Sequence, residues 1–352
     1  MEEDLSYCAS SFLQYRCIVD RSKTFRYDIV PRFCDTSQAD DLLVNNSNDL
    51  ERHLKTQCER LPGGGRTAIA LSGGIDSAIL AKFVPKGTIA YTFKCIVPGV
   101  DVVDESIMAA KYAQQCGLEH RIVEVYWEDF ERYAPILMKH KGAPIHSIEV
   151  QIYKAALEAK SAGAEVFVFG ESADVKYGGL SSLLSRDWLF GEFVDRYSYV
   201  LPYRVIKDSK LVLRPIKEFT MASGMVDTFG FVNRFFFLES MGSYTNACGL
   251  AGINFIAPYA HTRLNVPLDI NRIRGGDGKY FVREVFKRNY PNISIPPKTP
   301  MPRPMNEWLS NWQGPNREEF WPNCTKVMTG DQKWLVWALE KFLDVLDGKV
   351  SA

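Results

Sequence analysis

The chain has 352 residues, which at roughly 100–200 residues per domain makes two domains or one large one. Hydrophobic residues are 46% and charged residues 24%, a globular balance that excludes a wholly disordered, collagenous or fibrous chain. Lys plus Arg and Asp plus Glu number 42 each, so there is no basic excess, and a dedicated nucleic-acid binder is disfavoured.

From the N-terminus, Ser10–Val19 (SSFLQYRCIV) has no clear period and reads as a short strand or the edge of a packed arm. The cluster Asn45–Asp49 is a loop with helix-capping residues. Leu50, Leu54 and Cys58 then recur at helical spacing, until Pro62 and Gly63–Gly65 stop the helix. Thr67–Ser72 is a short apolar strand, Ser72–Ser77 a tight turn, and Ala78–Val84 helical. Gly87–Val97 is a second strand, and Glu105–Gly117 a helix closed by a C-cap glycine. His120–Val125 is a third strand, Trp127–Gly142 and Ser147–Gly163 are helices, and Glu165–Gly170 is a fourth strand. This alternation means βαβ units and a parallel sheet covered on both faces. After about Leu180 the strand signal fades. Aromatic, helix-like segments follow at Phe229–Gly242, Lys279–Tyr290 and Gln332–Leu346, interrupted by the Pro-rich Pro291–Pro304. That stretch cannot be regular structure and is either a packed extended loop or a mobile lid. The expected fold is a doubly wound α/β parallel sheet with a mainly helical C-terminal half. The expected division is an arm and helix over 1–60, an α/β core over 61–180 and a helical region over 181–352.

The cysteines (Cys8, Cys17, Cys34, Cys58, Cys95, Cys116, Cys248 and Cys324) form no CxxC pair and no zinc-finger spacing, so reduced thiols are expected. The acidic N-terminus lacks the apolar region of a secretory signal, and no run approaches the ~20 apolar residues of a membrane span. The cytosol is the expected compartment, and no membrane partner is expected.

Three phosphate-loop patterns can be tested. GxxxxGK followed by Ser or Thr is absent, because Gly278-Lys279 runs into Tyr280. Gly63–Ala68 fits GxGxxA by letter, but it precedes a strand where a dinucleotide loop must follow one. Ser72-Gly73-Gly74-Ile75-Asp76-Ser77 has the right context, between a strand and a helix. Its glycines let backbone N–H groups approach an anion, the serines add hydroxyls, and the helix start favours phosphate. Asp76 suits such a site only with a divalent cation, as a metal ligand. The bland alternative is an ordinary turn with a helix cap.

This SGGxDS loop resembles the pyrophosphate loop of the N-type ATP pyrophosphatases. Phe169–Gly179 (FGESADVKYGG) resembles the SGEGADELFGG signature of the asparagine synthetase synthetase domain, and it too follows a strand. Asp104-Glu105, Lys279–Arg283 (KYFVR) and Pro297-Lys298 resemble that family's DE, KxxLR and late-lysine segments, in order. The resemblance covers about residues 60–310. It implies an adenine nucleotide α-hydrolase-type core and an ATP-dependent, AMP-forming amide ligase: a substrate carboxylate is adenylated, pyrophosphate leaves, and ammonia or an amine attacks. Carried onto this sequence, it implies ATP and pyrophosphate binding by Leu71, Ser72, Gly73, Gly74, Asp76, Ser77 and Gly170. It puts Mg²⁺ on Asp76 and Asp174, and catalysis on Glu171 and Lys298. Glu171 would orient or deprotonate the nitrogen, and a glutamate there resembles the ammonia- or amine-using branch. Lys298 would meet charge at the α-phosphate or the tetrahedral intermediate.

Three departures shape the expectation. Read from Met1, 71 residues precede the loop, too few for the family's glutaminase half. A stand-alone synthetase is therefore expected, fed by free ammonia, by a separate ammonia-supplying partner or by an amine. Val175 stands where the family has a second acid. Asn246–Leu264 is unlike the aspartate-binding region, so the acid is expected to be another small-molecule carboxylate. The competing readings are a tRNA-modifying or sulfur-transferring relative, weakened by neutral charge and the missing CxxC, and a non-catalytic nucleotide-binding paralogue, suggested by Val175.

Overall fold

The computed structural model describes residues 1–34 and 41–350. Five strands, Thr67–Ala70, Ile89–Cys95, Glu119–Val125, Val166–Val168 and Asn254–Ile256, form one sheet. Numbered in chain order, they lie third-second-first-fourth-fifth and are all parallel. The first four are the strands expected from sequence. The fifth is three residues from the helical half, and pairing with Val166–Val168 fixes its register. The sheet is thus completed from beyond residue 180.

Side-chain alternation explains why the strands read as almost wholly apolar. Ala68 and Phe167 enter one core, while their neighbours Ile69 and Val168 enter the core on the opposite face. On the second face lie the helices Ser47–Glu59 (α2), Ile75–Ala81 (α3), Ser106–Cys116 (α4) and Tyr280–Asn289. On the first lie Trp127–Lys141 (α5), Ile148–Ser161 (α6), Phe237–Ala251 and the C-terminal Gly330–Leu346. The aromatic second half is therefore core packing in large part, with Trp334 and Phe130 rings 5.3 Å apart edge to face.

Residues 10–19 do not form a strand. Leu5–Tyr15 is an α-helix, started by Asp4, whose carboxylate accepts the Tyr7 N–H at 2.9 Å. Nearly every side chain from Cys8 to Tyr15 is buried, so an all-round buried helix leaves no amphipathic period to read. The Pro-rich stretch carries no regular structure, as expected, and is packed. Pro302 O accepts from Gln151 Nε2 at 3.0 Å and from Cys95 Sγ at 3.2 Å.

Candidate active site

The chain leaves the first strand and crosses to opposite sides of the sheet for the second and fourth, so the strand order reverses beside the first strand. Open α/β sheets bind ligands at the carboxyl ends of strands at such a point. Both signature segments start there. Ser72–Ser77 leaves the first strand and Gly170–Asp174 the fourth.

The phosphate-type loop is braced from within. Ser77 Oγ accepts the Ser72 N–H at 3.0 Å, and the two serine hydroxyls lie 3.0 Å apart. Ser72 Oγ accepts the Gly74 N–H at 3.1 Å. Gly74 begins α3 with no side-chain cap, so the first N–H groups of the helix await an outside acceptor. Gly170 is required by packing as well. A Cβ there would sit 3.0 Å from Ser77 N and 3.2 Å from the Asp76 backbone carbon, so only glycine lets the fourth strand press against the loop. Tyr259 supports the loop from behind, its hydroxyl donating to Asp76 O at 3.1 Å.

Two carboxylates and two ammoniums meet beside the loop. Lys279 Nζ bonds both oxygens of Asp76, at 2.9 and 2.7 Å. It also lies 3.0 Å from Asp174 Oδ1, a buried oxygen that among the described residues has this ion pair and no hydrogen bond of good geometry. Lys298 Nζ reaches Asp174 Oδ2 at 3.0 Å and Gly179 O at 3.0 Å. Burial pushes Asp76 above the usual carboxylate range, against the pull of Lys279. Burial also works on Asp174, but Lys279 and Lys298 overcome it and hold that carboxyl low. For Lys279 burial disfavours the charge, yet the two aspartates win and raise its pKa. Ser172 and Lys279 are two of only four described non-glycine residues with positive φ, at 72° and 55°. Such backbone strain persists where surrounding structure enforces it; Lys279 reaches the aspartates from such a position, while the Ser172 hydroxyl turns to Met241 Sδ at 3.7 Å.

Glu171 lines the same cavity as Asp76 and Asp174. Its Oε1 accepts the Ser172 N–H at 2.8 Å and its Oε2 the Tyr244 hydroxyl at 3.1 Å. Burial raises its pKa, against hydrogen bonds from Ser240, Ser172 and Tyr244.

These groups line one cavity of about 190 Å³. Of the residues expected from sequence, Leu71, Ser72, Asp76, Ser77, Gly170, Glu171 and Asp174 line it. Gly73 and Gly74 form the loop beneath, and Lys298 joins through Asp174. Of the two expectations for the Pro-rich stretch, the packed extended loop is the one found. Lys298 already sits in the charge cluster, because the Pro-rich segment is packed with Thr299, Met301 and Pro302 against the cavity. Tyr244, Glu105 and Lys279 have no role assigned from sequence. Glu105 and Lys279 fell within recognised segments, but Tyr244 lies in an aromatic stretch with no motif. Val175 needs no metal role. It packs in an apolar cluster with Phe237 and Met241.

Among the described residues no set of three or more His, Cys, Asp and Glu forms a metal site. Asp76 and Asp174 nonetheless fit Mg²⁺, which is held by one or two carboxylates plus substrate phosphates. The four charges of the cluster cancel, so a triphosphate would bring negative charge that the cluster does not neutralise, and Asp174 Oδ1 is a buried oxygen without a hydrogen bond among the described residues. Among the described residues no cysteine lines the cavity, and no helix is long and apolar enough to cross a membrane.

A phosphate-type loop and paired carboxylates at the switch point of a parallel sheet define a nucleotide-using α/β enzyme. The asparagine synthase family model matches residues 50–227, and the chain belongs to this family of ATP-using enzymes. A comparison with curated protein sequences finds no match. Among solved structures the chain is similar to the U34-tRNA thiolase NcsA from Methanococcus maripaludis with its 4Fe-4S cluster. That likeness has 13% identity, 72% of this chain, 82% of that one and a TM-score of 0.27.

Proposed function

We propose that the chain is an AMP-forming ligase that adenylates a small-molecule carboxylate, releases pyrophosphate and joins the acyl group to ammonia or an amine. One observation carries this reading: the anion-ready loop, the paired carboxylates and the separate, hydrogen-bonded Glu171 share a single cavity.

Backbone N–H groups at the start of α3 and the hydroxyls of Ser72 and Ser77 bind the pyrophosphate portion of ATP. Asp76 and Asp174 would hold Mg²⁺, which when bound supplies neutralisation of charge developing on the leaving group. Lys279 holds the two aspartates in position. Leu71 and Gly170 frame the adenine. Lys298, released from Asp174, meets the charge of the α-phosphate or of the tetrahedral intermediate. Glu171 lies apart from the cationic cluster, where its carboxylate orients the nitrogen and takes its proton as the C–N bond forms. Thr299, Met301 and Pro302 close one wall and exclude water from an adenylate that would otherwise hydrolyse. The acid is read as other than aspartate, because Asn246–Leu264 is unlike the family's aspartate-binding region.

The test is mass spectrometry of ATP, Mg²⁺, ammonium and a pool of carboxylic acids incubated with the chain. AMP, pyrophosphate and a new amide are expected in equal amounts. Asp76→Asn keeps the side-chain volume and leaves Lys279 paired with Asp174. It should lower AMP formation by about 10² or more. ADP and phosphate as the products, or undiminished AMP formation by the variant, would sink the proposal.

A further inference from the structure

We infer that Tyr244 is a positioning residue for Glu171, fixing which carboxylate oxygen faces the nitrogen substrate and in which pH range Glu171 is ionised. The inference rests on the reading of Glu171 as proton acceptor, and it begins with geometry. Helix Phe237–Ala251 crosses to the mouth of the sheet and delivers Tyr244 into the cavity. The ring is clamped edge to face against Phe169, centroids 4.8 Å apart, and lies near-parallel to Phe255 at 6.1 Å. An aromatic side chain has two rotatable bonds, so this clamp sets where the hydroxyl is. The hydroxyl donates to Glu171 Oε2 at 3.1 Å, while the Ser172 N–H holds Oε1 at 2.8 Å. Each oxygen thus has its own donor, with the Ser240 hydroxyl of the same helix as Tyr244 adding to them, and the carboxylate plane is held.

The charges around Glu171 make this donor matter. Asp174, on its own segment, and Glu239, on the tyrosine's helix, are carboxyls that disfavour a further negative charge. Lys279 and Lys298 are engaged by the aspartates. Tyr244 itself stays protonated, since burial and then Glu171 raise its own pKa. It therefore donates at every working pH, and its hydrogen bond favours the ionised glutamate that can accept a proton.

The test reads Glu171 directly in the ligand-free, EDTA-treated full chain. Glutamate labelled with ¹³C at the carboxyl carbon is titrated by NMR, with Glu171→Gln identifying the resonance. In Tyr244→Phe, which keeps the ring packing, the Glu171 midpoint should rise by about 0.5–1 pH unit, or 3–10-fold in proton affinity. Placing 3-fluorotyrosine at 244 strengthens the donor and should move the midpoint down. That second variant keeps the inference testable if the phenylalanine variant folds poorly. Midpoints unmoved in either variant would overturn it. The titration needs no substrate. A flat titration overturns the pairing alone, whereas a chain that forms no AMP overturns the proposed reaction.

Discussion

Glu171 and Asp174 are three residues apart and meet opposite electrostatic demands. Asp174 faces two ammoniums and is held ionised, whereas Glu171 faces hydroxyl and amide donors and rises through burial. Two carboxyls pushed apart in this way divide labour: the low one holds charge steady, and the high one exchanges protons. Glu171→Gln keeps the shape and the bond from Tyr244 but cannot accept a proton. Acid-dependent exchange of labelled pyrophosphate into ATP should persist, while amide formation falls by about 10²–10⁴. Equal loss of both would place Glu171 in adenylation and sink its assigned role. Legibility in sequence follows the same divide. Ser72–Ser77 and Glu171–Asp174 are contiguous, so spacing and strand context reveal them. Tyr244 approaches from 73 residues along the chain, and only the tertiary fold makes it a neighbour.

The elements that matter most are the least regular. The segment from Pro291 to Pro304 reads from composition as something that cannot be helix or central strand, and it is neither. Composition does not say where it goes. Its carbonyls answer that, because Pro302 O takes donors from the second strand and from α6, tying the segment over the sheet end. Lys298 is consequently delivered to Asp174 by a packed wall. Its side chain is still 50% exposed, so the ion pair contributes little to stability, within about 1 kcal/mol. Lys298→Ala should leave the melting temperature nearly unchanged. If the ammonium meets charge that peaks in the transition state, kcat for amide formation should fall by about 10²–10³. Near-normal kcat, or inactivity that tracks unfolding, would leave Lys298 as a wall-bracing lysine only.

At the scale of the whole molecule, the sheet was legible because both its faces are buried, which turns strands into short apolar runs between helices. Two parts escaped that logic. Leu5–Tyr15 is buried along nearly its whole length and shows no amphipathic period, and Asn254–Ile256 is a short strand set within the helical half. The core also carries titratable groups into low dielectric, and this makes stability depend on pH in a way that one substitution can isolate. Glu105 lines the cavity at the start of α4, where burial and then the Asp104 charge lift its carboxyl from 4.5 to about 7. Between those values the folded ligand-free chain keeps a proton that the unfolded chain releases. Stability from this group is therefore full below about pH 4.5 and is lost as pH rises through 7. His146 works in the opposite direction. Burial and then the Arg16 charge keep it neutral when folded, so acidification below its ordinary 6.5 favours the unfolded chain. That contribution is common to wild type and to a Glu105 variant and cancels in their difference. Glu105→Gln cannot ionise, so at pH 8 it should be the more stable protein. Discounted for the group's partial exposure, the gain is about 1–2 kcal/mol, or roughly 1–3 °C in Tm. Melting both proteins across pH 4–8 should show the gap narrowing steadily below pH 7 and closing near pH 4.5. A gap that widens on acidification, or a variant no more stable at pH 8, would mean that Glu105 is solvated and that the cavity wall beside Gly73 is wetter than its packing indicates.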